Sequence, residues 1–144
     1  MSDDGANAEQ GTAGNDCIGP GSTKLPSHVF DLHERTTLFG EAIIAFAKSL
    51  PVTVVTRDMI TQLVNSGTSV GANYAEANEG VSKKDFRNKI GICKKEAGET
   101  KYWLRMMASA VPDLKDAARP LWQEAKELNL IFAKIFRSCD NKSG

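Results

Sequence analysis

From residue 27 onward the apolar residues recur at alternating steps of three and four, and nothing else in the chain restricts its fold so strongly. That step returns one residue per turn to the same side of an α-helix. Four segments carry it. The first runs through Leu32, Phe39, Ile43, Phe46 and Leu50 and is stopped by Pro51. The second reads Ile60, Leu63, Gly67, Val70, Tyr74 and Ala77, opened by Thr56 or Asp58 as a cap and closed by Gly80. The third follows Ser82, an N-cap with Asp85 three residues on, and reads Phe86, Ile90, Cys93, Ala97, Thr100, Leu104 and Met107. The fourth, after Pro112 and Asp113, reads Leu121, Ala125, Leu128, Phe132, Ile135 and Cys139, with Pro120 in its first turns.

A chain of 144 residues suits one domain. Val54 and Val55 favour β structure but are too few for a strand. The expected fold class is therefore all-α: an antiparallel up-down-up-down four-helix bundle over residues 27–140, with helices of roughly six turns each. Residues 1–26 have another character. They combine five glycines with Asp3, Asp4, Glu9 and Asp16 against Lys24 alone, the composition of a disordered acidic tail.

The second segment is unusual within that bundle. From Met59 to Ala75 it contains no Asp, Glu, Lys or Arg. A helix in a lone bundle carries charge on its outer side, so one uncharged all round is expected to be covered from two directions. Ser66, Gly67, Ser69, Gly71, Ala72 and Ala75 let neighbouring backbones approach, which offsets the cost of about 1 kcal/mol for each mid-helix glycine. On the third helix the core positions are flanked on one side by Ile92, Glu96, Glu99, Trp103 and Met106, and on the other by Arg87, Lys94, Lys95, Lys101 and Arg105. Antiparallel pairing through the short turn near residue 81 sets Ser66 and Ser69 opposite Glu96, and Gln62 opposite Glu99, as donors to semi-buried carboxylates. The expectation is a homo-oligomer whose subunit interface uses Gln62, Ser66, Ser69, Asn73, Ile92, Glu96, Glu99 and Trp103.

SGTSVGANYAEA, followed by SKKDFRNKIGICKKEAGETKYWLRMM, resembles the four-helix-bundle family first noted as open reading frames inside intervening sequences of bacterial 23S rRNA genes. The resemblance spans about residues 30–139 and is densest over 65–107. It implies a ring-like homopentamer. It also relates the chain to the accessory protein of diversity-generating retroelements, which engages nucleic acid and a reverse transcriptase. Ser66, Ser69, Gly71, Asn73, Glu96, Glu99, Tyr102 and Trp103 match the family pattern. The chain departs from it at Asn65 and Ala75, where the family usually has arginines, so phosphate contacts resting on those arginines are not carried over.

Overall charge does not point to nucleic acid, because 18 basic residues balance 18 acidic ones. The local pattern differs. From Lys83 to Arg105 eight basic residues stand against Asp85, Glu96 and Glu99, and summed positive charge is what phosphate binding depends on. Lys83, Lys84, Arg87, Lys94, Lys95, Lys101 and Arg105 are the expected nucleic-acid contacts. Only Tyr102 lies on that outer stripe as an aromatic, so base stacking is not expected.

Other chemistry finds little support. His28 and His33 lack the Glu-x-x-His spacing of a di-metal bundle, so neither metal nor other cofactor is expected. Glu96 and Glu99 form an acid and base pair only if a pocket and substrate accompany them, and no nucleophile motif is present. Cys93 and Cys139 fall on apolar positions and read as packing. The three widely spaced cysteines, the absence of an apolar stretch after MSDDGANAEQ and the lack of a membrane-length apolar run give the expectation of a cytoplasmic, non-membrane protein. The expected function is non-enzymatic: a scaffold or accessory factor holding RNA or DNA, or an enzyme such as a reverse transcriptase that works on it. The alternatives are a purely structural or protein-binding assembly, and an enzyme or ligand binder using Glu96 and Glu99.

Overall fold

A computed structural model describes residues 31–143, with side chains through residue 140. The expected tail over residues 1–26, with Cys17 and also His28, lies outside the described residues. Four helices follow in order: α1 (Leu32–Lys48), α2 (Arg57–Asn78), α3 (Lys83–Ala110) and α4 (Lys115–Ser143). A 3-10 turn, Pro112–Leu114, joins α3 to α4, and there is no strand among the described residues. The helices have 17, 22, 28 and 29 residues, so α1 falls short of the expected six turns while α3 and α4 exceed them. No proline interrupts α3 before Pro112, and Pro120 comes early enough in α4 for the helix to continue past it.

The helix ends follow local chemistry. Asp31 accepts a hydrogen bond from the Glu34 amide at 3.3 Å and starts α1. Ser82 accepts one from the Asp85 amide at 3.0 Å and starts α3, as the sequence predicts. Thr56 behaves differently. It stands at the N-cap position of α2, but its hydroxyl donates to the Pro51 carbonyl and accepts from the Thr53 amide at 2.9 Å, so it fastens the α1–α2 loop instead of capping the helix.

The core is built from the four apolar stripes. Phe39 and Ile43 of α1, Leu63 and Val70 of α2, Ile90 and Met107 of α3, and Leu128 and Phe132 of α4 are fully buried. Each large side chain of this kind stabilises the fold by about 1.5–3 kcal/mol relative to leaving it in water. Between helices, Thr36 meets Gly71 and Ile43 meets Gly67; Val70 meets Cys93 and Ser66 meets Thr100; Arg87 meets Asp140 and Lys101 meets Trp122. The glycines of α2 are explained by α1 of the same chain. A Cβ on Gly67 would stand 2.8 Å from Ile43 Cγ2, and one on Gly71 would stand 3.3 Å from the Thr36 carbonyl oxygen.

α1 and α4 touch along a short stretch, and a charged cluster ties them there. Arg35 Nε and Nη2 donate to the two carboxylate oxygens of Glu124 at 2.7 and 2.8 Å, and Nη2 also reaches Glu127 at 2.9 Å. Arg35 and Glu124 are 8% and 6% exposed, so this is a buried, bidentate pair.

Candidate nucleic-acid interface and subunit face

α3 carries two chemically different edges, and its register is pinned at two points. Ser82 fixes the start, and in the middle Asn129 of α4 donates from Nδ2 to the Lys94 carbonyl at 2.7 Å. Arg87, Lys94 and Lys101, at steps of seven, therefore all lie along α4. The Lys94 ammonium is 6.0 Å from the Phe136 ring centroid, and that of Lys101 is 5.8 Å from the Trp122 ring. Lys126 approaches the same indole at 5.6 Å. Contacts of this kind contribute about 0.5–1 kcal/mol at exposed sites and lay the aliphatic stems on the rings with the charges in water.

Arg87 departs from the expected free stripe. Its guanidinium lies 3.9 Å above the Phe136 centroid and donates from Nη2 to Asp140 Oδ2 at 3.0 Å. Its Nε is 2.8 Å from Asp140 Oδ1 but lacks the alignment of a hydrogen bond. Half of its role is thus to hold the end of α4. Lys89 is also taken up, in an ion pair with Glu76 of α2, whereas Lys83, Lys84, Lys94, Lys95 and Arg105 are exposed and Lys101 is half-buried. Lys95 has Glu99 at 3.8 Å, and for the other five no carboxylate lies within ion-pair distance among the described residues.

The opposite edge of α3 presents Ile92, Glu96, Glu99 and Trp103, all half-buried, with Tyr102 set edge-on to Trp103 at 5.0 Å. On α2, Gln62 is exposed and Ser69 and Asn73 are half-buried. Ser66 lies elsewhere. It is 3% exposed, and its hydroxyl is 3.0 Å from that of Thr100, so it packs inside its own bundle and not on an outer face. The expected hydroxyl and amide donors to Glu96 and Glu99 do not form either. The Ser69 hydroxyl donates to the Asn65 carbonyl and the Asn73 amide to the Ser69 carbonyl, each one turn back along α2. The Glu96 carboxylate therefore accepts no hydrogen bond among the described residues, although the Glu96 carbonyl accepts one from the Thr100 hydroxyl at 2.7 Å, and burial of the side chain, with the neighbouring charge of Glu99, raises its pKa above the ordinary value of 4.5.

Cys93 is fully buried, its Sγ is 3.5 Å from the Val70 carbonyl oxygen, and burial pushes the thiol up to about 12. A thiol held neutral in this way packs and does not react. Among the described residues no cluster of three or more His, Cys, Asp or Glu is placed to hold a metal, and no helix is long and apolar enough to cross a membrane.

Two aromatic residues absent from the sequence reading, Trp122 and Phe136, now stand beside the basic stripe. Each follows an apolar core position, Leu121 or Ile135, by one residue, and that offset is the signal for a side chain at the seam between two helices.

The family model for the 23S rRNA-intervening sequence protein matches residues 30–133. The chain belongs to this family. A solved structure described as a protein with unknown function from the S23 ribosomal protein family, of Bacteroides thetaiotaomicron VPI-5482, is similar to it with a TM-score of 0.63 and 29% identity, over 73% of this chain and 97% of the other. No curated protein matches the chain. The span matched to the 23S rRNA-intervening sequence family takes in α1, α2, α3 and most of α4, including the whole basic stripe and Trp122. Phe136 and Asp140, the partners of Arg87, fall beyond it.

Proposed function

We propose that this protein is a cytoplasmic, non-enzymatic, homo-oligomeric scaffold, pentameric as the family resemblance implies, that holds RNA or DNA on the basic edge of α3, or holds there an enzyme such as a reverse transcriptase that works on it. The bundle in this reading is antiparallel and up-down-up-down. Partner numbers support that arrangement, since Ser66, Val70 and Glu76 of α2 meet Thr100, Cys93 and Lys89 of α3 in falling order.

The observation that carries the reading is the row of open cations: Lys83, Lys84, Lys94, Lys101 and Arg105 lie along one edge with no carboxylate partner among the described residues. Repeated around an oligomer, this row would add to its neighbours, and counterion release makes affinity grow with the number of phosphates neutralised. The subunit face of the proposal is the uncharged outer side of α2, with Gln62, Ser69 and Asn73, continued by Ile92, Glu96, Glu99 and Trp103 of α3. A second copy would supply Glu96 with the donors that its own chain does not.

A mobility-shift assay with mixed RNA and DNA over a salt series tests the nucleic-acid part. Binding is expected to weaken steeply as salt rises and to be lost when Lys94, Lys95 and Lys101 are all changed to Glu. Retention of full binding by that variant would reject the assignment.

A further inference from the structure

Where the C-terminal turns of α3 meet the first turns of α4, a cavity of about 370 Å³ opens beside the basic edge. Ala118 and Trp122 contribute to its apolar wall, Arg105, Lys115 and Arg119 are its cations, and Gln123 adds an amide. No carboxylate lines it. Trp122 is half-buried, and Lys101 and Lys126 extend the positive rim beyond the cavity at 5.8 and 5.6 Å from its ring.

We infer that this cavity holds one unpaired nucleotide of a single strand, its base against the Trp122 indole and its phosphate among Arg105, Lys115 and Arg119. The inference rests on the proposed nucleic-acid binding and names the form of nucleic acid the protein takes. An aromatic wall with a ring of cations matches the two halves of a nucleotide, a flat π-face and an anion, whereas cations alone would match phosphate of any kind. The guanidinium forks of Arg105 and Arg119 suit paired contacts to phosphate oxygens. The volume sits at the small end of ligand pockets, roughly 300–1,000 Å³, which fits a single nucleotide. A duplex keeps its bases paired and stacked, so it cannot offer one to the indole without unstacking it. The open cations of α3 would track the backbone on either side.

The chain has two tryptophans, Trp103 and Trp122, so the part of the parent's fluorescence response that the Trp122→Phe variant lacks reports on Trp122 alone. Titrating the parent with single-stranded oligouridylate, with oligodeoxythymidylate, with a duplex of equal length and with adenosine 5′-monophosphate separates the sources. The expected result is quenching of Trp122 by both single strands and tighter binding of them than of the duplex. In addition, Trp122→Ala should weaken single-strand binding about tenfold, leave duplex binding unchanged, and be largely rescued by Trp122→Phe. Equal affinity for single strand and duplex, with Trp122→Ala binding like the parent, would overturn the cavity assignment while leaving the basic edge standing. Quenching by the mononucleotide with no binding of any strand would assign the cavity to a free nucleotide and overturn the strand reading. No binding of any nucleic acid and no quenching would overturn both. Helical content measured by circular dichroism on each variant shows that the fold is intact.

Discussion

Arg35 is the residue on which the closure of the bundle depends, because it joins α1 to α4 where few other contacts do. Removing one partner from a buried pair leaves the other charge without compensation. Arg35→Ala should therefore lower unfolding free energy by about 3–5 kcal/mol in urea melts, and Glu127→Gln, at a carboxylate that is itself about half exposed to water, by less than about 1 kcal/mol. Equal effects from the two changes would show that burial does not govern the cluster. Gly67→Ala tests the approach of α1 to α2. The added methyl collides with Cγ1 and Cγ2 of the fully buried Ile43, so the variant should lose about 1–3 kcal/mol despite its better helix propensity, and the loss from Gly67→Ala should be smaller in an Ile43→Ala background, which lacks both atoms. The Arg35 cluster had a sequence signal: Arg35 stands three after Leu32 and four before Phe39, and Glu124 three after Leu121 and four before Leu128. Opposite charges on two apolar stripes are candidates for a buried pair, but spacing alone does not say which helices face each other. Gly67 was legible as a place of close approach, and its partner was not, because the same small residue admits either a helix of its own chain or one from another copy.

At the scale of the helix, periodicity located all four elements, since a three-four step over several turns fits no other regular structure. What it missed follows from physics it does not encode. Thr56 satisfies loop backbone groups instead of the helix start, because Pro51 leaves its carbonyl within reach. Ser69 bonds back along α2 to the Asn65 carbonyl one turn away, and Ser66 is buried against Thr100, so Glu96 is left without the donors expected for it. That leads to a pH dependence. Burial, reinforced by Glu99, raises the Glu96 pKa in the folded state, so its protonated form favours folding. The contribution is full below the ordinary value of 4.5 and is lost as pH rises through the raised value. In dilute protein, Glu96→Gln should raise the melting temperature near neutral pH, and the gain should vanish below about pH 4. A gain that persists in acid would place its origin elsewhere. The basic edge of α3 was legible as a run of Lys and Arg, whereas its coupling to α4 through Arg87, Phe136 and Asp140 was not, since nothing local indicates which residues of a distant helix lie alongside.

For the whole molecule, the uncharged outer side of α2 is what joins the proposed assembly to the proposed nucleic-acid binding. The glycines that first pointed to a second copy are explained by α1, so the case for assembly now rests on Gln62, Ser69 and Asn73 together with the half-buried Ile92, Glu96 and Trp103. Burying Trp103 and Ile92 against a second copy would remove apolar surface at roughly 25 cal/mol per Å², and each added subunit would bring another row of open cations. Trp103→Glu should consequently dissociate the assembly and reduce nucleic-acid affinity in proportion, although Trp103 touches no phosphate in this account. The most direct test is the native mass by light scattering across a concentration series. The expected species is an assembly five times the 15.6 kDa of one chain that persists on dilution to micromolar protein. A species of 15.6 kDa at the highest concentration attainable would contradict it.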